Sequence, residues 1–132
     1  MSKKATSPFK LDSFDHSTYD EAEGAKLGRA RITKTFTGEV EGTSVVEMLS
    51  AHNASGPAAY VALERVNARV HGRAGSFVFQ HWGGMGADGG QELRLGVVSG
   101  TGTGELEGIT GTANIHIDAQ GNHTLELDYD LP

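Results

Sequence analysis

The chain is predicted to be all-β, a sandwich or barrel, on three observations. Short strand-like runs alternate with glycine or Asn/Asp turn signals at intervals typical of that class. No stretch carries a convincing helical apolar stripe. The runs number about eight, at which a closed sheet has an interior just wide enough for side chains or one small ligand.

Residues 1–6 read as a flexible N-terminal tail of a single domain spanning 1–132, and the first run covers 7–14. The acidic, glycine-punctuated stretch 17–28 is expected to be a loop or one short helical turn. The second run, 30–37, sets Ala30, Ile32 and Phe36 against the basic Lys26, Arg29, Arg31 and Lys34, which read as the solvated side of a strand. The third, 43–52, leads through a turn at 53–57 into the fourth, 58–70. The fifth covers 75–83 and the sixth 91–98. Gly100, Gly102, Gly104, Gly108 and Gly111 then surround Leu106 and Ile109. A phosphate loop is excluded there because no Lys-Ser/Thr pair and no helix follow; glycines that bend strands at a barrel corner fit better. The seventh and eighth runs, 111–117 and 123–131, flank a turn at 118–122.

The fourth and fifth runs form the most informative pair. One face carries Ala62, Glu64, Val66 and Ala68, answered by Phe77, Phe79 and His81; the other carries Arg65, Asn67 and Arg69, facing Ser76, Val78 and Gln80. This period-2 separation is that of a half-buried antiparallel pair and puts Glu64 and His81 on the apolar side. A two-residue Gly72-Arg73 turn of type II′ sets Glu64 opposite His81. A slip by two residues keeps both on one face but separates them. If the preceding hairpin pairs Ala51 with Tyr60, Glu47 falls opposite Glu64 and completes a row across three strands. The opposite parity brings in Met48, Ser50 and His52 instead.

Two carboxylates close together in low dielectric drive one pKa upward, whereas an imidazolium lowers a neighbouring acid and is itself raised. Either arrangement supplies a proton donor and acceptor near neutral pH, as general acid-base chemistry requires. In that reading His81 is the base or acid, Glu64 its orienter or proton partner, and Glu47 a second acid. Tyr60 and Trp82 provide rim contacts or a stacking wall, with Phe77 and Phe79 as apolar lining. The plainer alternative is a Glu-His pair that satisfies itself, as interior polar groups nearly always do.

Other chemistries find little support. A formal net charge of -6 and the lack of a basic stripe disfavour nucleic acid. Cysteine is absent, which rules out disulfides and thiolate zinc sites. His116, His123 and Asp118 sit near one turn but match no known ligand cluster, so no metal is assigned. There is no serine-nucleophile elbow and no strand-glycine-helix dinucleotide unit, and no cofactor is expected. No apolar run of signal or membrane-spanning length occurs, so a cytoplasmic protein without membrane contact is expected.

Several separated phrases resemble a known group: Thr35-Phe36-Thr37-Gly38 with Glu41-Gly42, Ala62-Leu63-Glu64-Arg65-Val66, Gly72-Arg73-Ala74-Gly75-Ser76-Phe77-Val78-Phe79-Gln80-His81, Gly102-Thr103-Gly104-Glu105-Leu106, and Leu127-Asp128-Tyr129-Asp130-Leu131. Together they resemble a bacterial family of unknown function with the allene-oxide-cyclase-like barrel fold. The resemblance implies a closed antiparallel eight-stranded barrel, commonly a homo-oligomer with a dimer as the first expectation. It supplies no reaction and no catalytic residues to carry over, because fold alone does not transfer activity. The expected function is a barrel that binds a small, largely apolar molecule, with cofactor-free isomerisation or cyclisation as its chemistry. The alternative is a structural or assembly module whose interior is filled by Phe36, Phe77, Phe79 and Leu95.

Overall fold

Eight antiparallel strands, each paired with its neighbour in the chain, close into a barrel when β8 returns to β1. The computed structural model describes residues 2–54, 58–86 and 91–132. The strands are β1 (Lys3–Ala22), β2 (Ala25–Thr37), β3 (Val40–His52), β4 (Ala58–Val70), β5 (Arg73–Met85), β6 (Gln91–Val97), β7 (Thr110–Ile117) and β8 (His123–Asp130), with one 3-10 turn at Gly104–Leu106. No helix among the described residues is long and apolar enough to cross a membrane.

Two expectations at the start of the chain are corrected. Lys3 through Thr6, expected to belong to a flexible tail, pair with Tyr129 through Glu126, and Ala5 is fully buried. Ala5, Ser7 and Phe9 alternate inward against Leu127 and Leu125, and this short apolar stripe docks the chain end. Residues 17–28, expected as a loop or helical turn, continue the β1–β2 hairpin, with Thr18 opposite Gly28 and Ala22 opposite Ala25. This stretch pairs beyond Phe9, the last residue of β1 to meet β8. Its β1 half, through Ala22, has no second neighbouring strand and buries little, so its sequence lacks the apolar alternation that marks a strand.

The β4–β5 turn sets the register that matters most. His71 and Gly72 both have positive φ, 48° and 81°, the type I′ pattern whose twist suits a two-residue hairpin. Val70 therefore faces Arg73, one position earlier on each strand than a Gly72-Arg73 loop would give. Glu64 consequently pairs with Phe79, and His81 with Ala62. Between β3 and β4, Ala51 faces Ala59 instead of Tyr60, so the parity of β3 is the reverse of that needed to bring Glu47 inside. Residues 55–57 of the expected turn lie outside the described residues.

One end of the barrel is packed shut. Phe36, Val40, Val66, Val70, Phe77 and Phe79 join Leu106 and Ile109, which the β6–β7 connection folds beneath the sheet. That connection is strapped to β5 by the Thr103 N–H, which donates to the Ser76 carbonyl at 2.8 Å. It runs so close that a Cβ on Gly75 would collide with the Thr103 carbonyl oxygen. Nearer the other end Ile32, Val46 and Ala62 form a smaller apolar layer, with Met48 and Tyr60 against it.

Candidate functional site

Between the two apolar layers lies a belt of polar side chains, one from each of four adjacent strands: Lys34 on β2, Ser44 on β3, Glu64 on β4 and His81 on β5. All are buried, with exposures of 6%, 2%, 1% and 5%. Strand alternation explains their level. Lys34 lies between Phe36 and Ile32 on the inward face of β2, Ser44 precedes Val46 by two residues, and Glu64 separates Val66 from Ala62.

Glu64 is the hub. Its Oε1 accepts from His81 Nε2 at 2.6 Å and from Lys34 Nζ at 3.4 Å, while its Oε2 accepts from the Ser44 hydroxyl at 2.5 Å. Burial is the largest single influence on this carboxyl and pushes it upward. The His81 hydrogen bond, the Lys34 charge, the His81 charge and the Ser44 hydroxyl oppose it, and together they hold Glu64 below the ordinary glutamate value. Glu64 is thus a carboxylate at neutral pH. A carboxylate can only accept, so in the neutral imidazole of His81 it fixes the proton on Nε2 and leaves the lone pair on Nδ1. Nδ1 has no hydrogen-bond partner among the described residues.

A cavity of about 510 Å³ opens above the belt, lined by Phe9, Ile32, Val46, Met48, Tyr60 and Ile115, and it reaches Lys34 and His81. Glu64 and Ser44 do not line it; they stand behind the two nitrogen-bearing residues. Lys34 Nζ also lies 4.8 Å from the centre of the Phe9 ring, a cation-π contact that helps hold a desolvated ammonium. Burial, with a smaller contribution from the Glu64 charge, raises the Tyr60 phenol above its ordinary value, so the cavity meets a neutral hydroxyl there. Glu92 and His123 line the same cavity.

The structure brings together only part of the predicted site. Glu64 and His81 meet inside the barrel and Tyr60 lines the cavity above them, as the period-2 pattern requires. Glu47 does not join them; it is on the outer face, where it pairs with Arg31 at 3.4 Å, both side chains being well exposed. Trp82 also faces outward, since it follows the inward His81, and Arg94 lies 5.7 Å from the centre of its ring. With Glu47, Leu49, Val61 and Leu63, Trp82 lines a second concavity of about 620 Å³ on the barrel wall, which shares Met48, Ala62 and His81 with the inner cavity. Phe77 and Phe79 are inward but belong to the packed end with Phe36 and Leu95, below the cavity. The filled interior expected of a purely structural barrel is therefore confined to that half.

Lys34 and Ser44 are the residues that the sequence reading missed. Lys34, expected on a solvated basic face, shares its parity with Ile32 and Phe36, and a lone charge on an apolar stripe was its signal. Of the candidate metal ligands, His123 packs on Phe9 with ring centres 5.2 Å apart, whereas exposed His116 lies 3.7 Å from Glu126. Asp118 directs its oxygens at the amides of Gln120 and Asn122 in its own turn.

A family model described as a protein of unknown function, DUF3224, matches residues 5–129. Among solved structures the chain is similar to a protein of unknown function from the DUF3224 family of Shewanella oneidensis. The two are 39% identical, the match covers 100% of this chain and 99% of the other, and the TM-score is 0.86. No curated protein matches the chain.

Proposed function

The chain belongs to the DUF3224 family of proteins of unknown function, and on that premise we propose that it binds a small, largely apolar molecule in the open half of the barrel and exchanges a proton with it through His81. One observation carries this reading: a cavity of about 510 Å³ with mostly apolar walls ends on an imidazole whose far nitrogen is held by a buried carboxylate. Concave apolar pockets with a few convergent polar groups are the usual form of a small-molecule site. A histidine with one nitrogen hydrogen-bonded to a carboxylate and the other on the cavity is oriented and held in one tautomer for general base work. Glu64 acts through His81 as a positioning residue. Isomerisation and cyclisation suit such a site because they redistribute protons within one molecule and need no redox partner.

The test is a fluorescence titration with Nile red, a neutral apolar dye, on three proteins. The wild type is expected to bind it. Ile115→Trp, which fills the cavity, is expected to weaken binding at least about tenfold, and Leu63→Glu, on the outer wall, to leave it unchanged. Loss in Leu63→Glu with retention in Ile115→Trp would move the site to the outer concavity and overturn the proposal.

A further inference from the structure

The cavity floor offers two different functions side by side. Lys34 is an ammonium with three N–H donors, one of them directed at Glu64. His81 presents a lone pair at Nδ1, because its Nε2 proton is committed to the same carboxylate oxygen. Both groups are tethered to Glu64 Oε1, so a cation and a base stand within the span of one small functional group. The acid that anchors them is itself hidden from the cavity. The Ser44 hydroxyl donates to the other carboxylate oxygen, so both oxygens of Glu64 are engaged behind the cavity floor.

We infer that the lumen receives an apolar carbonyl compound with a hydrogen on the carbon next to the carbonyl, the carbonyl oxygen on Lys34 Nζ and that hydrogen on His81 Nδ1. The inference rests on the cavity reading proposed above and adds the substrate class and a catalytic role for Lys34. As His81 Nδ1 takes the proton, the α-carbon–hydrogen bond breaks and its electron pair becomes the enolate. The developing charge on oxygen is met by the Lys34 ammonium. The imidazolium formed is stabilised by the Glu64 carboxylate, and it returns the proton to carbon to end the cycle with no net change in electrons. Return to a different carbon gives isomerisation of an unsaturated ketone. Attack of the enolate carbon on the β-carbon of an unsaturated carbonyl in the same molecule closes a ring, that carbon-carbon π bond breaking and its α-carbon taking the proton back from His81. Preorganised charge of this kind, set in a dry site where negative charge develops, is commonly the largest catalytic contribution. The apolar walls supply the dryness. At the rim a carboxylate, Glu92, disfavours burial of an acidic end near the mouth and leaves the floor as the place where negative charge is accepted.

The experiment follows exchange of the α-hydrogens of 2-tetralone into deuterated buffer by proton NMR, alongside displacement of Nile red by the same ketone. The wild type is expected to accelerate exchange at least about a hundredfold over buffer, the range of general-base catalysis. His81→Gln is expected to abolish the acceleration, and Lys34→Met to lower it about a hundredfold, each with the circular dichroism of the wild-type barrel retained. Absence of acceleration by the wild type, whether or not the ketone displaces the dye, overturns the inference and leaves the cavity reading to stand on dye binding alone. Acceleration that survives in His81→Gln overturns it equally. Should Lys34→Met not fold, the wild type and His81→Gln still decide the matter.

Discussion

His81 Nε2 lies 2.6 Å from Glu64 Oε1 although neither residue is the other's cross-strand partner; Glu64 faces Phe79, and His81 faces Ala62. The contact is diagonal, across a distance that only longer side chains span. It leaves the direct partners apolar, and the Phe79 ring stands edge-on to the imidazole with centres 6.2 Å apart. His81 is thereby held by a hydrogen bond on one side and a ring on another, which fixes the direction of its free nitrogen.

Removing the charge of the hub strands a buried cation. Glu64→Gln is expected to destabilise the barrel by about 3–5 kcal/mol, the usual cost of leaving one partner of a buried ion pair alone. Urea unfolding with an unchanged slope measures it. A loss below about 1 kcal/mol, the level of an exposed ion pair, would mean that Lys34 reaches water.

The same pairing has an acid signature. Glu64 is held below its ordinary value of 4.5, so between the two values the unfolded chain binds more protons and stability rises with pH. Its contribution is therefore complete above 4.5 and is lost as the pH falls through the lower, folded value. The stability gap between wild type and Glu64→Gln is expected to be constant from neutrality down to about pH 5 and to narrow below it. A gap that widens on acidification would contradict the assignment.

The inward faces of β4 and β5 were legible because residues 64–69 and 76–81 alternate cleanly, with Arg65, Asn67, Arg69, Ser76 and Gln80 on the outer side. The turn between them was not. Either His71-Gly72 or Gly72-Arg73 makes a two-residue hairpin, and choosing the second shifts the pairing by two, which preserves every face while changing every partner. Glu47 shows the harsher failure. A one-residue difference in the β3–β4 pairing reverses parity, so Ser44 came in and Glu47 went out. Lys34 was readable in principle, since Ile32, Lys34 and Phe36 share a face, but four basic residues close together concealed that Lys34 sits between two core positions. Trp82 could not share the interior with His81, its immediate neighbour in an unbroken strand.

Glycine at two places separates steric need from backbone need. Gly75 is pressed against the Thr103 carbonyl oxygen and sits 3.2 Å, measured from an added Cβ, from Leu106 Cβ. Gly75→Ala is expected to cost about 2–3 kcal/mol through overpacking. Gly72 has φ +81° with nothing within 4 Å, so Gly72→Ala is expected to cost only about 1 kcal/mol, from the left-handed backbone. Thermal melts of the two variants check the order, and a milder Gly75 variant would argue against the strap beneath the barrel.

The docked start of β1 depends on a side chain from the β2–β3 turn. Glu39 Oε1 accepts from the Thr6 N–H at 2.8 Å, and Oε2 lies 3.1 Å from His71 Nε2. His71 Nδ1 in turn meets the Tyr129 hydroxyl at 2.5 Å. The Thr6 hydrogen bond, more than the His71 contact, holds Glu39 below its ordinary 4.5. Glu39→Gln is expected to accelerate amide hydrogen exchange at Thr6 severalfold and to leave the core amides of β4 unchanged. Equal acceleration throughout would indicate global destabilisation instead.

The most direct measurement follows the imidazole of His81 by NMR as the cavity is filled. The chain has six histidines, and His81→Gln identifies the relevant resonance. Saturation with Nile red or 2-tetralone is expected to shift the His81 ring signals strongly while those of His71, at the packed end of the barrel, stay in place. Saturable binding that leaves the His81 signals unmoved would contradict the claim that the occupant rests on that ring.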